Sequence, residues 1–149
     1  MAKIALPDYF YDSLGHNLHR IGQLMREETS KALKRFGVTP EQWELLIVLS
    51  HTEGLTPTEL GEYSLRDKTT ISRMLPALLR KGMIEKKQHP RDARSYVVTV
   101  SEAHRQKLDE MLWAVKEHFE QRVFANLSQR EYDLMLGLIG KLRRELGDL

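Results

Sequence analysis

Three features of this 149-residue sequence predict a mainly α-helical chain with one small β-hairpin. Apolar residues recur at three- and four-residue steps along most of the length, the period of amphipathic helices. Capping signals, a Ser or Thr followed three residues later by Glu or Gln, open one helix after another. A single stretch, residues 83–101, abandons that period for a run rich in β-branched residues. The length and 41% hydrophobic content suit one compact core rather than two. A single domain over residues 1–149 is therefore expected.

The elements follow in order. Leu14, Leu18, Ile21, Met25, Ala32 and Phe36 keep the helical step, so residues 8 to about 36 read as one long amphipathic helix ended by Gly37. Thr39-Pro40-Glu41-Gln42 then supplies a capping hydroxyl, a proline at the first helical position and a glutamine that closes the box. The helix it opens runs to about Ser50 and is expected to bury Trp43, Leu46, Ile47 and Leu49. Thr56-Pro57-Thr58-Glu59 repeats the signal for a short helix that carries Leu60 and ends near Tyr63. After a four-residue turn Asp67 caps a further helix with core positions Ile71, Met74, Leu75 and Leu78, and Gly82 is placed to end it in a left-handed conformation. Two short helices across a tight turn make a helix-turn-helix.

The hairpin comes next: Ile84, Lys86 and Gln88 on one strand, a polar tip from His89 to Ser95, and Tyr96-Val97-Val98-Thr99-Val100 on the other. Ser101 and Glu102 open another helix, with apolar positions Leu108, Met111, Leu112, Val115, Phe119 and Val123. Ser128-Gln129-Arg130-Glu131 caps the last, whose stripe is Leu134, Met135, Leu138, Ile139, Leu142 and Leu146. The fold class is thus a winged helix-turn-helix domain, about residues 38–101, flanked by N- and C-terminal helices over 1–37 and 102–149. The flanking apolar stripes exceed what a small three-helix core covers, which marks them as dimerisation helices. The other reading packs them only on their own winged unit.

Charge narrows the function. The chain's net charge is +2, but the segment from Arg66 to Arg94 holds nine bases against three acids, +6, and the remainder is −4. On a helix-turn-helix with a wing, that concentration is the footprint of a phosphate backbone; on an arbitrary helical protein it would be one solvated face. The absence of cysteine excludes disulfides, thiolate nucleophiles and sensing through sulfenic acid on this chain. The opening residues MAKIALPDYFYDSLGHNLHR lack the apolar core and cleavage site of a signal peptide, and no run approaches the ~18 apolar residues of a membrane span. A cytoplasmic location with no membrane partner is expected.

The order of elements, together with GVTPEQWELLIVLS and LTPTELGEYSLRDKTTISRMLPALLRKGMIEKKQHPRDARSYVVTVSE, resembles the MarR family of transcription regulators. The likeness spans nearly the whole chain and is most specific from Leu55 to Glu102. The family pattern of a recognition helix ending in Leu-x-x-x-Gly, then a wing with Asp-x-Arg, is met by Leu78, Gly82, Asp92 and Arg94. The resemblance implies a homodimer with interlocking terminal helices, one winged unit on each of two successive major grooves, and ligand-controlled repression without a cofactor. It also implies a cleft for a small aromatic or phenolic effector, which by position would include His16, Arg20, Trp43, Leu46 and Trp113; the plainer reading makes these core residues. Three positions depart from the pattern: Pro76 inside the recognition helix, where it removes a backbone donor and a kink or local opening is expected, Leu79 in place of a polar residue, and His104 in place of the usual glycine.

A recognition helix presents to the major groove the side opposite its core stripe. Here that side carries Lys68, Thr69, Ser72 and Arg73, with Arg66 and Thr70 adjoining. Arg73 suits a bidentate contact with guanine, typically ~1–3 kcal/mol of discrimination. Thr69 and Thr70 either meet phosphate or a thymine methyl or serve as ordinary caps. Thr56 and Thr58 can offer hydroxyls and backbone N–H groups to a phosphate. In the wing, Arg94 suits insertion into a minor groove, and Arg91 beside it is a further candidate for DNA binding. Asp92 either orients Arg94 or Arg73 through an ion pair or simply forms the turn.

Rival classes have less support. The sequence contains no G-x-S-x-G, H-E-x-x-H, P-loop or dinucleotide fingerprint, so an enzyme is not expected. His16 and His19, with His104 and His118 elsewhere, leave a metal-responsive regulator of the same fold as an alternative, although no metal site is expected. A winged helix used only for protein contacts would have no need of the basic excess.

Overall fold

The computed structural model describes residues 7–149. Seven α-helices and a two-stranded sheet are present among them. The chain divides into two compact units, Met1–Val115 and Lys116–Leu149. The first six residues of the expected N-terminal dimerisation segment lie outside the described residues.

The first unit opens differently from the single long helix the periodicity predicts. A short helix α1 (Asp8–Tyr11) is separated by Asp12 and Ser13 from α2 (Leu14–Leu33), and a 3-10 turn (Lys34–Phe36) completes the run. The interruption has a local cause. The Ser13 hydroxyl accepts the His16 N–H at 3.3 Å and donates to the Phe10 carbonyl at 2.8 Å. The Asn17 side chain donates to the Tyr11 carbonyl at 2.6 Å. A serine that can cap a new helix competes successfully with continuing the old one. Gly37, at φ +66°, ends the run as expected.

The next helix, α3 (Pro40–Ser50), begins at the anticipated Thr39–Gln42 capping box. It buries Leu45, Leu46 and Leu49, while Trp43 and Ile47 are only half-buried. WELLIVLS is apolar almost all round, so the pattern alone could not say which side faces inward. Helices α4 (Pro57–Tyr63) and α5 (Lys68–Arg80) form the helix-turn-helix. Leu60, Ile71 and Leu78 are fully buried, and Leu75 nearly so. Helix α5 is continuous through Pro76, which lies on the exposed side, so the expected opening does not occur. Gly82 stops the chain at φ +66°.

Strands β1 (Ile84–Gln88) and β2 (Tyr96–Val100) pair antiparallel, with Ile84 opposite Val100 and Gln88 opposite Tyr96. One residue missed by the sequence pattern joins them. Leu55 and Val98 exchange backbone hydrogen bonds of 3.1 and 2.8 Å, adding a one-residue third strand ahead of α4. A single bridging residue leaves no period for a pattern to reveal. Gly54 beside it adopts φ +137°, and a Cβ there would meet the Thr99 and Val97 side chains at 3.0 and 3.1 Å. The bridge thus fixes the base of the wing against the start of the helix-turn-helix.

Helix α6 (Glu102–Arg122) starts where expected despite His104, whose Nδ1 lies 3.0 Å from the Ser101 hydroxyl; that hydroxyl also donates to the Gly82 carbonyl at 2.7 Å. Leu108, Met111 and Val115 are its buried positions in the first unit, and Leu112 is exposed.

The second unit contains the end of α6 and helix α7 (Gln129–Glu145). Phe124 lies between Phe119 and Tyr132, with ring centroids 5.7 and 5.0 Å away. The Ser128–Glu131 capping box starts α7 as anticipated. Leu134, Met135, Leu138 and Leu142 of α7 and Leu146 just after it are exposed, as are Leu14, Leu18, Ile21 and Leu24 of α2 in the first unit.

Candidate nucleic-acid interface

Helix α5 divides cleanly. Ile71, Leu75 and Leu78 point into the core, and Lys68, Thr69, Ser72 and Arg73 are exposed on the opposite side of its first two turns. Asp67 organises the helix start. Its carboxylate accepts the Thr70 backbone N–H at 2.9 Å and the Thr70 hydroxyl at 2.7 Å. These bonds, side-chain first, hold the Asp67 carboxyl below the ordinary carboxylate range. They also commit Thr70 to capping, which leaves Thr69 as the exposed threonine.

Thr56 is committed in the same way. Its hydroxyl and backbone N–H both donate to Glu59 Oε2, at 2.9 and 2.8 Å, and its hydroxyl accepts the Glu59 N–H at 3.2 Å. Pro57 has no N–H to offer. Thr58 is therefore the residue of this turn with an uncommitted hydroxyl. The Thr56 backbone bond, then its side-chain bond, depresses the Glu59 carboxyl, and the charge of Arg91 in the wing adds to the effect.

The wing tip is built by two side chains acting as acceptors. His89 Nδ1 accepts the backbone N–H groups of Arg91 and Asp92, each at 3.1 Å, and Asp92 Oδ1 accepts the Arg94 N–H at 3.0 Å. Asp92 is thus the turn-former of the two expected roles. Among the described residues it makes no ion pair with Arg94 or Arg73. Arg91 and Arg94 are both exposed. Farther down the wing the Lys86 ammonium lies 3.9 Å from the centre of the Tyr96 ring, a cation–π contact across the strands.

Arg66 departs from the expectation for a residue facing DNA. Its side chain is only 24% exposed and pairs with Glu44 of α3, and its Nε is buried without an acceptor. Neither His89 nor Glu44 was singled out by the sequence pattern. Glu44 is 22 residues from its partner, beyond any helical spacing.

The five candidate effector residues are distributed through the first unit. His16 is half-buried against the Phe10 and Tyr11 rings, at 4.8 and 5.6 Å. Arg20 donates to Gln23 at 3.3 Å, Leu46 is buried and Trp113 is exposed. Trp43 is half-buried, yet its indole N–H is fully buried without an acceptor. No hydrogen bond, ion pair or ring contact joins His16, Arg20, Trp43 and Leu46 to one another. Among the described residues no group of three or more His, Asp or Glu side chains is placed to hold a metal ion. No helix among them is long and apolar enough to cross a membrane.

Comparison with known proteins agrees with this architecture. The sequence model of the MarR family matches residues 38–96. The HTH-type transcriptional repressor Mb2911 of Mycobacterium bovis is 30% identical over 130 residues, 85% of this chain and 93% of that protein. A probable transcriptional regulator from Pseudomonas aeruginosa superposes with a TM-score of 0.80 at 30% identity, over 89% of this chain and 98% of that one. The transcriptional repressor CouR, solved bound to a 23-mer DNA duplex, shares the fold, with a TM-score of 0.83 at 22% identity over 93% and 99% of the two chains. CouR from Rhodococcus jostii has also been solved bound to p-coumaroyl-CoA, with a TM-score of 0.76 at 19% identity over 91% and 95%.

Proposed function

This chain belongs to the MarR family, and from that membership we infer that it is a sequence-specific double-stranded-DNA-binding transcriptional regulator. It acts as a homodimer in the cytoplasm, as a ligand-responsive repressor and without catalytic activity. The observation that carries the reading is the exposed edge of α5, where Lys68, Thr69, Ser72 and Arg73 stand opposite a fully apolar buried stripe. A wing carrying Arg91 and Arg94 accompanies it.

The roles follow from side-chain chemistry. Arg73 reads guanine through O6 and N7, and Thr69 and Ser72 read neighbouring edges. Lys68 and Thr58 hold phosphates, fixing register rather than sequence. Arg94 enters a minor groove, where the potential over A·T-rich sequence is most negative, and Arg91 supports it at the backbone. Residues 38–101 do the reading; 1–37 and 102–149 bring two copies together. Each compact unit contributes exposed leucines to that task, and their burial in a dimer removes an apolar surface that would otherwise face water.

The effector is a small aromatic or phenolic compound. The unmatched Trp43 indole N–H supports this, because a buried donor without an acceptor is costly and a bound polar atom relieves it. That CouR, of the same fold, has been solved with an aromatic thioester is consistent with the reading.

Selection of duplexes from a random pool by the purified full chain tests the proposal, followed by footprinting of the enriched sequence. A pseudopalindrome with half-sites about 10 bp apart is expected. A protein that enriches no sequence at low salt, or protects one asymmetric half-site, rules it out.

A further inference from the structure

We propose that the Glu44–Arg66 ion pair is a positioning clamp for the recognition helix: Arg66 touches no DNA, and through Glu44 it fixes the turn from which α5 springs. The inference rests on α5 being the helix that reads DNA.

The turn between α4 and α5 is tightly specified. Leu65 adopts φ +55°, a left-handed conformation uncommon for leucine, and its side chain is 87% exposed, so its own packing does not hold it there. Arg66 follows. Its N–H donates to the Gly61 carbonyl at 2.9 Å, and its carbonyl oxygen lies 2.8 Å from where a Cβ on Gly61 would stand. Asp67 comes next and caps α5. Whatever locates Arg66 therefore locates the first turn of the helix that carries Lys68, Thr69, Ser72 and Arg73.

The Arg66 side chain runs inward. Unlike Lys68, Arg73, Arg91 and Arg94, it is largely covered, and its buried Nε has no acceptor. Taking a guanidinium out of water with one N–H unmatched is unfavourable, so the attraction of Glu44 must offset it. Glu44 is itself held on a braced helix. One turn earlier on α3, Glu41 pairs with Arg26 of α2, and the Arg26 guanidinium also feels the Glu44 charge. The two carboxylates on α3 thus link α2 at one end to the recognition-helix turn at the other.

A clamp and a phosphate ligand make opposite predictions. If Arg66 bound phosphate, it would have to leave Glu44, and removing Glu44 would free it and strengthen binding. If it is a clamp, removing either partner frees the turn and weakens specific binding without removing a phosphate contact.

The experiment measures binding by fluorescence anisotropy across a salt series for the full-length wild type, Glu44→Ala, Arg66→Met, the double variant and Arg66→Lys. The probes are a duplex enriched by the wild type and an unrelated duplex of equal length. Both single variants should bind the enriched duplex roughly tenfold more weakly, with the double variant no weaker than either, the coupling expected of one shared contact. The slope of log affinity against log salt should not change, binding to the unrelated duplex should be unaffected, and Arg66→Lys should stay near wild type. The clamp is overturned if Glu44→Ala binds as tightly as wild type or more so. It is equally overturned if Arg66→Met flattens the slope by about 0.9 for each lost phosphate contact. If Arg66→Met fails to fold, Glu44→Ala and Arg66→Lys decide. A wild type that enriches no duplex would instead remove the DNA-reading premise, and the clamp with it.

Discussion

Asp92 and Arg94, two residues apart at the wing tip, are joined through the backbone: the Arg94 N–H donates to the Asp92 carboxylate at 3.0 Å. The carboxylate fixes the arginine's main chain and forms no ion pair with its guanidinium. Asp92→Asn keeps an acceptor for that N–H and should bind DNA close to wild type. Asp92→Ala loses the hydrogen bond that fixes the Arg94 main chain and should weaken binding severalfold. Equal affinities for the Asn and Ala variants in a titration at fixed salt would sink the turn argument.

Arg73 and Arg94 should fail in different ways. Arg73→Ala is expected to lower affinity and relax the base preference at one position, by ~1–3 kcal/mol of discrimination. Arg94→Ala should weaken binding across sequences with a shallower salt dependence. Competition gel shifts with single-base operator variants separate the two patterns; wild-type behaviour of either variant would refute its assignment.

Gly61 allows the helix-turn-helix to close. A methyl group at this position would stand 2.8 Å from the Arg66 carbonyl oxygen, which is backbone and cannot swing aside. Gly61→Ala should therefore destabilise the fold by about 1–3 kcal/mol despite the better helix propensity of alanine. Thermal unfolding is the check, and a raised melting temperature would contradict the close approach.

Acid should loosen the helix starts. Hydrogen bonds from Thr56, Thr70 and Ser128 hold Glu59, Asp67 and Glu131 below their ordinary range. A carboxyl depressed in the fold contributes stability that is fully present above its unfolded value. That stability is lost as pH falls through the lower folded value. Helicity should hold to about pH 5 and decline below about pH 4. Asp67→Asn caps without titrating and should shrink the decline. Superimposable circular-dichroism profiles for the two proteins would count against it.

The exposed leucines make a prediction about mass. Wild type should scatter light as a particle of twice 17.4 kDa. Leu134→Glu with Leu138→Glu, placing charge on the exposed stripe of α7, should give monomers that bind a full operator far more weakly. A wild-type monomer, or an undisturbed dimer in the double variant, would remove α7 from the interface.

Local chemistry made most of the framework legible in the sequence. The capping boxes at Thr39, Thr56 and Ser128, the Asp67 cap and the Gly82 terminator act within four residues, so short strings specified where those helices begin and end. The wing was equally readable from its β-branched run. Ser13 was the local signal passed over, because the apolar period of α2 and α1 runs on across the break.

Tertiary structure decided what depends on residues far apart in the chain. The phase of α3, with Leu45 rather than Trp43 inside, was set by packing, since a helix apolar on every side does not announce its buried face. The Leu55–Val98 bridge and the Arg66–Glu44 pair join residues 43 and 22 positions apart. Charge alone grouped Arg66 with the bases expected to face DNA; only the folded chain turned it inward, because an ion pair forms where the backbone brings its partners together.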